Sequence, residues 1–365
     1  MGAVLERRRR RRAAGIRRSP SMKKHRILAL MDVDFVPPEK IGAEVKTDQM
    51  PWRTEYDVCT TLRRAGHEVR PVGVWKDLAV IDQAIEEFKP HIAFNLLEEF
   101  QGKPHYDQHV VSYLEMMHLA YTGCGPRGLT LARDKALTKK ILTYHRIPVP
   151  EFAVCPVGRK FHRPRRLEFP LIVKSLTAEA SLGISQASLV DDDKSATERV
   201  EFIHEQIGTD ALIERYIDGR ELYVSLLGND RVRVFPIWEL LFNKMPEDIP
   251  RIATEKVKWD PKYQAKRGIV SREAKLPEEQ SAALARLCKR VFRVLGLCGY
   301  ARIDLRMDEQ GRAYVLEANP NPQLAHGEDF ADSARKVNIE YGDLLQRIVN
   351  LGMQRNRERP ASVNA

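Results

Sequence analysis

Ala301-Arg-Ile-Asp-Leu-Arg306, followed after a short turn by Tyr314-Val-Leu-Glu-Ala-Asn-Pro-Asn-Pro322, is the stretch on which the fold turns. On a strand, side chains alternate between faces, so Arg302 and Asp304 point the same way. Glu317 and Asn319 are likewise two apart. Asp308-Glu-Gln-Gly311 reads as a hairpin turn between the two runs, which lets one face carry all four residues. Two carboxylates and an amide oxygen are hard donors, the set that Mg²⁺ (or Mn²⁺) takes when it also binds phosphate oxygens. Arg302 beside them can hold an anion in fork geometry. The plainer reading is a solvated hairpin face with ordinary salt bridges. Against it stands the apolar frame around each acid: Ile303 and Leu305, then Val315, Leu316 and Ala318.

Working outward, the first third alternates strand and helix patterns. Arg26–Met31, His67–Val74 and His91–Leu97 read as strands. Glu55–Ala65, Leu78–Phe88 and Asp107–His118 read as helices. Short connections between such elements predict a parallel sheet with flanking helices. Tyr121-Thr-Gly-Cys-Gly-Pro126 is a turn cluster and a boundary. Beyond it, Thr130–His145 reads as one helix, and Phe152–Cys155 and Leu171–Lys174 as strands. Ala196–Gln206 reads as a helix, and Asp210–Tyr216 and Glu221–Leu227 as strands joined at Asp218-Gly219. Then come a strand over Val232–Glu239, a charged loop over Asn243–Gly268, a helix over Pro277–Leu295 and the hairpin. The fold class is therefore α/β, with an α+β character in the C-terminal two-thirds. The domain boundaries that follow are a basic disordered tail at 1–24, an N-terminal α/β domain at 25–125, a central subdomain at 126–228, a C-terminal subdomain with the metal site at 229–352, and a frayed end at 353–365.

Composition narrows the function classes. The chain has 365 residues, 43% apolar, 30% charged and 7% aromatic, as in an ordinary globular protein. No apolar run approaches the roughly 18–20 residues of a membrane helix, and no apolar segment of a secretory signal follows the first arginines. The formal charge of +10 sits wholly in residues 1–26, where eleven Lys and Arg face the single Glu6. The body is formally neutral. Nucleic-acid binding is thus expected, if at all, only through the tail run Arg7–Arg12, which has no interleaved aromatics. Five cysteines with no C-x-x-C spacing suit a reducing, cytoplasmic setting and give no zinc signature.

Several residues in the middle of the chain belong to the same chemistry. Lys174 ends the apolar run Phe169-Pro-Leu-Ile-Val-Lys, where an ammonium can reach a phosphate as a point charge. Lys135 opens a helix after Arg133-Asp134. Ala180-Ser-Leu-Gly183, with Ser181, is compatible with a loop whose backbone N–H groups meet phosphates. Glu214 and Glu221, seven apart on consecutive strands, are placed to contact a nucleotide's amino group and ribose hydroxyls.

Taken in order, Lys135, Ile-Val-Lys174, Ile213-Glu-Arg-Tyr-Ile-Asp-Gly-Arg-Glu221, Arg302-Ile-Asp304 and Leu316-Glu-Ala-Asn319 resemble the ATP-grasp superfamily, and most closely the D-alanine–D-alanine ligase family. The resemblance covers roughly residues 25–350. It implies an ATP-grasp fold and an ATP-dependent ligase that makes an amide through an acyl phosphate. It also implies site roles. Lys135, Lys174 and Ser181 would hold ATP phosphates, and Glu214 and Glu221 the adenine and ribose. Asp304, Glu317 and Asn319 would bind magnesium, and Arg302 would steady the reacting groups. In Tyr263-Gln-Ala-Lys-Arg267, Lys266 would reach the γ-phosphate.

The departures lie on the substrate side. The family's glycine-rich start after the first strand is here Met31-Asp-Val-Asp-Phe-Val-Pro-Pro38. Ala180 stands where a family serine would contact the first substrate. Gln323 replaces a glycine. Glu328 falls where a serine would meet the second substrate's carboxylate, so it is expected to receive an amine or other cation. The partners expected are small amino acids or peptides, with a homodimer left open. The competing readings are a ligase for another amino acid or peptide, a nucleotide-binding protein without turnover, and a nucleic-acid binder acting through the tail.

Overall fold

The structure, a computed structural model, describes residues 23–41, 46, 50–178, 181–247 and 249–358. The basic run Arg7–Arg12 and the loop residue Ala180 lie outside the described residues. Three sheets organise the chain. The first is parallel, in the order β2-β1-β3, from β1 (Arg26–Asp32), β2 (Glu68–Val74) and β3 (Ile92–Asn95). Helices α1 (Arg53–Arg64), α2 (Ala79–Phe88) and α3 (Asp107–Met116) connect and cover it. The central strand β1 is an unbroken apolar run, Ile27 to Met31, buried on both faces, as a covered parallel strand must be.

Thr130–His145, expected as one helix, is two. Helix α4 (Pro126–Arg133) ends and α5 (Lys135–Tyr144) begins around Asp134, whose carboxylate accepts from the Leu137 N–H at 2.8 Å. An aspartate in extended conformation caps a new helix rather than continuing the old one. Its consequence is functional: Lys135 becomes the first residue of α5, and its ammonium donates to the Ala178 carbonyl.

The second sheet is antiparallel, in the order β4-β7-β5-β6, from β4 (Phe152–Cys155), β5 (Leu171–Ser175), β6 (Leu189–Val190) and β7 (Ala211–Arg215), backed by α6 (Asp193–Phe202). The chain leaves it at Asp218-Gly219. Gly219 has φ +132°, and a Cβ there would lie 2.1 Å from the Met307 carbonyl oxygen, so only glycine fits. The next strand, β8 (Arg220–Gly228), joins the third sheet. The chain thus passes from the second sheet to the third at this turn.

The third sheet has six antiparallel strands: β11 (Ile269–Glu273), β10 (Trp238–Phe242), β8, β12 (Gly299–Met307) and β13 (Ala313–Asn319) in that order, with β9 (Arg233–Val234) on β8. The single strand expected over Val232–Glu239 is split because Pro236 cannot donate to a ladder. The expected loop over Asn243–Gly268 holds two short helices, α7 (Glu255–Trp259) and α8 (Pro261–Arg267), each capped by a side chain, Thr254 or Asp260. Strand β11 was not anticipated at all. Helix α9 (Glu278–Val294) buries Leu284, Cys288, Val291 and Phe292, a stripe at helical spacing. It packs under β8, β12 and β13, and fully burying a side chain such as Leu284, Val291 or Phe292 stabilises by about 1.5–3 kcal/mol. Helices α10 (Asp329–Arg335) and α11 (Tyr341–Glu358) close the chain. The last helix runs past residue 353, where fraying was expected, because Arg355 is tied to the Tyr121 and Gly123 carbonyls. Among the described residues no helix is long and apolar enough to cross a membrane.

Candidate active site

The hairpin forms as its sequence requires. Arg302 pairs with Asn319 and Asp304 with Glu317, and a bulge follows Asp304. On the other side of β12, Asp304 lies opposite Tyr223 and Arg306 opposite Glu221. The register thus sets Glu317, Asp304, Arg306 and Glu221 along one wall of a cavity whose far wall is the second sheet. Lys135, Lys174, Ser181 and Glu214 line it too. So do the apolar side chains of Ile172, Ile217 and Leu316.

Charge is dense and paired here. Glu214, 1% exposed, sits between two ammonium groups: Lys174 Nζ at 2.6 Å and Lys139 Nζ at 2.9 Å. Burial opposes its ionisation, but the two lysines overcome that and hold its carboxyl below the usual range. The lysines respond differently. Burial drives Lys139 down, whereas for Lys174 the pull of the surrounding carboxylates exceeds the burial cost and raises it. Lys139 also donates to the Leu316 carbonyl at 2.9 Å, tying α5 to β13. Sequence reading missed this lysine. On its own α5 looks like any amphipathic helix, and Glu214 lies 75 residues away.

Lys135 Nζ donates to the Ala178 carbonyl at 2.7 Å and lies 3.7 Å from Glu317 Oε2. Glu317 is held at about 2: burial would raise it, but Lys135, Lys174 and Lys258 prevail. It is therefore an anion at neutral pH. Asp304, 3% exposed, receives a two-pronged bond from Arg302, Nε at 2.7 Å and Nη2 at 2.8 Å. Arg302 in turn stacks on the Tyr223 ring at 4.8 Å. Asn319 Oδ1 accepts from the Asn321 N–H at 3.0 Å, which fixes its amide beside Arg302. Glu221 accepts from the Tyr223 hydroxyl at 2.9 Å. Ser181 stands at φ +63° and its hydroxyl donates to the Ala253 carbonyl at 2.9 Å. That contact fastens the small-residue loop to the segment leading into α7.

Three expected residues are not in the cavity lining: Arg302 and Asn319, which sit on the hairpin beside Asp304 and Glu317, and Lys266. Lys266 is exposed near the end of α8 and does not line the cavity. The cation that this segment supplies is Lys258, near the end of α7, which does line it and acts on Glu317. The substrate-side expectation also changes. Glu328 meets Arg53 Nη1 at 3.1 Å, and Arg53 also bonds the His326 carbonyl. The first turn of α1 thus supplies a cation that the reading of Glu328 as a free acid did not include.

Comparison with known proteins agrees with this geometry. A family model described as "D-ala D-ala ligase C-terminus" matches residues 142–350. A D-alanine–D-alanine ligase of Desulforudis audaxviator is 31% identical over 301 residues, covering 82% of this chain and 92% of that protein. An uncharacterised protein of Sinorhizobium fredii is 30% identical over 331 residues, 87% of this chain and 93% of its own length. The crystal structure of a Bacillus anthracis D-alanine–D-alanine ligase complexed with ATP has a TM-score of 0.70 at 21% identity, covering 92% of this chain and 99% of that one. The VanG D-Ala:D-Ser ligase of Enterococcus faecalis gives 0.65 at 16% identity, with 90% and 100% covered. With the fold, the ordered motifs and these relatives in agreement, the chain belongs to the D-alanine–D-alanine ligase family of ATP-grasp ligases.

Proposed function

We propose that this ligase uses Mg²⁺-ATP to activate an amino-acid or peptide carboxylate and joins it to an amine. The observation that carries this is the single cavity in which Lys135, Lys174, Asp304 and Glu317 meet apolar side chains. Ile172, Ile217 and Leu316 suit a purine face, and Glu221 suits the ribose hydroxyls. Glu214 supports the reading less by touching the base than by fixing Lys174.

The donor set fits a divalent cation. Asp304 and Glu317 are paired across the hairpin, Glu317 is ionised, and the Asn319 oxygen keeps a second lone pair. Among the described residues no group of three or more His, Cys, Asp and Glu could hold a metal alone. Two carboxylates with an amide and phosphate oxygens are the pattern of Mg²⁺ rather than of an all-protein cage. Bound there, the ion would neutralise phosphate charge. Lys135 and Lys174 neutralise more of it, which is most of what phosphoryl transfer asks of a protein. Arg302, rigid against Asp304 and Tyr223, would hold the reacting carboxylate. A carboxylate oxygen attacks the γ-phosphorus and ADP leaves. The amine then attacks the acyl carbon, phosphate leaves, and the amine's proton is lost.

The Arg53–Glu328 pair bears on the second substrate. With Arg53 present, Glu328 does not repel a carboxylate as a bare acid would, so an ordinary amino acid such as D-alanine is admitted as the nucleophile. The relatives named for D-Ala–D-Ala and D-Ala:D-Ser ligation support that class. The test of nucleotide binding is thermal unfolding with ATP, with and without Mg²⁺. Binding at a hundredfold excess over Kd adds about 2.7 kcal/mol. A shift larger with Mg²⁺ than without supports the assignment, and no shift with either overturns it.

A further inference from the structure

We propose that Cys298 and Cys124 form an oxidisable thiol pair, with Cys298 the attacking sulfur and Cys124 the resolving one. The pair lies away from the cavity, where three segments meet. Cys124 belongs to the turn between α3 and α4, Cys298 immediately precedes β12, and Arg355 reaches in from α11. The Cys298 sulfur reaches the backbone on either side of Cys124, lying 4.0 Å from the Gly123 carbonyl oxygen. That sulfur also accepts from the Arg355 guanidinium at 2.9 Å and from the Gly125 N–H at 3.3 Å. Arg355 is itself fixed, donating to the Gly123 carbonyl at 2.6 Å and the Tyr121 carbonyl at 2.9 Å, with its plane 4.1 Å over the Tyr121 ring. Backbone shapes the cradle. A Cβ at Gly128 would lie 2.4 Å from the Cys124 sulfur and 2.8 Å from the Gly296 carbonyl oxygen.

Two donors on one sulfur, one of them a guanidinium, stabilise its anion. The titratable and charged groups facing it are Arg355 from α11 and Cys124 and Tyr121 from the turn. Arg355 is the only cation among them. Cys124 beside it, then Arg355 and the Gly125 N–H, bring Cys298 down to about 5 against the cost of burial. Cys59, Cys155 and Cys288 go the other way, each raised chiefly by burial. Cys298 is also the only one of the five cysteines that is not buried. Reactivity needs both thiolate and access, and Cys298 combines a contact to a guanidinium with partial exposure of the residue.

The oxidant is a hydroperoxide. The Cys298 thiolate attacks a peroxide oxygen and the O–O bond breaks. The departing hydroxide takes a proton and leaves as water, so Cys298 becomes a sulfenic acid. The Cys124 sulfur then gives up its proton and attacks the Cys298 sulfur. The S–O bond breaks, a second water leaves, and a disulfide remains. Overall two thiols are oxidised and one hydrogen peroxide is reduced to two waters.

The test uses the full-length reduced protein. Limiting iodoacetamide at pH 4 to 9, with peptides mapped by mass spectrometry, should label Cys298 first, with a rate half-maximal near pH 5. Hydrogen peroxide should remove two hydrogens and yield one cross-linked Cys124–Cys298 peptide. Cys124→Ser should stop at a sulfenic acid on Cys298 that dimedone traps. Cys298→Ser should give neither product. In the wild type, which needs no variant to fold, labelling of Cys59, Cys155 or Cys288 ahead of Cys298 overturns the proposal. So does peroxide treatment that leaves Cys124 and Cys298 unlinked.

Discussion

Replacing Glu214 with glutamine removes the one negative charge that lies between two buried ammonium groups. Lys139 is fully buried, and Lys174 nearly so. Glu214→Gln leaves both without their nearest anion, at 2.9 and 2.6 Å. Breaking a buried pair by removing one partner costs about 3–5 kcal/mol, because the charge left behind has lost its water and gained nothing. Lys139→Met is expected to behave differently. It leaves Glu214 and Lys174 as a neutral pair and removes an ammonium that burial already disfavours. The lost bond to the Leu316 carbonyl offsets part of that gain. The expected cost is about 0–2 kcal/mol, within the range of replacing buried charge by apolar volume. Urea unfolding of both variants, with equal m-values as the control for comparable unfolding, reads the difference. If Lys139→Met is as damaging as Glu214→Gln, the reading of Glu214 as the shared counter-ion is wrong.

Three further expectations follow from the geometry. Glu55, 6% exposed, is raised to about 7, chiefly by burial and then by Glu98 and Asp32. Its contribution to stability is complete below the ordinary carboxylate value and is lost as pH rises through 7, by about 3 kcal/mol in all. Glu55→Gln should therefore flatten the stability profile between pH 4.5 and 7, and parallel profiles for the two proteins would contradict this. Arg53→Met strips Glu328 of its cation, so KM for the amine substrate should rise about tenfold while KM for ATP stays within twofold, as loss of one partly exposed charge contact of about 1.4 kcal/mol implies; equal changes in both would place Arg53 outside the substrate pocket. Deleting residues 1–21 removes eight arginines and Glu6. Retention on a polyanion column should then weaken with no change in turnover, and lost turnover would tie the tail to catalysis.

The part of the site that was legible in the sequence was local. Arg302, Asp304, Glu317 and Asn319 sit on two strands joined by a short turn, and strand periodicity with one hairpin brings them together. Pairing across the hairpin followed that logic, and the bulge after Asp304 is a feature that alternation alone does not announce. The rest depended on contacts between distant segments. Lys139 acquires its role only when α5 crosses β13 and β7. Arg53 meets Glu328 only when the start of α1 packs against the turn before α10, and 275 residues separate them. Lys258 was hidden in a stretch read as loop, although Thr254 and Asp260 were available as caps for the two short helices there. Two other misses had signals in plain view: Asp134 as a cap between α4 and α5, and Pro236 as a break in the strand after β8. Strand β11 had little signal, since four of its five residues are exposed on an edge of the sheet.

The most direct test of the account is product formation by the purified full-length chain. With Mg²⁺ and ATP, D-alanine and a panel of other amino acids and short peptides are supplied, while ADP and new amide are measured together. The account predicts ADP release that requires both Mg²⁺ and an amino-acid substrate, with one amide formed per ADP, and loss of both in Asp304→Asn. ADP release that is indifferent to every amino acid and peptide, or no release at all from a protein that binds Mg²⁺-ATP, would contradict it.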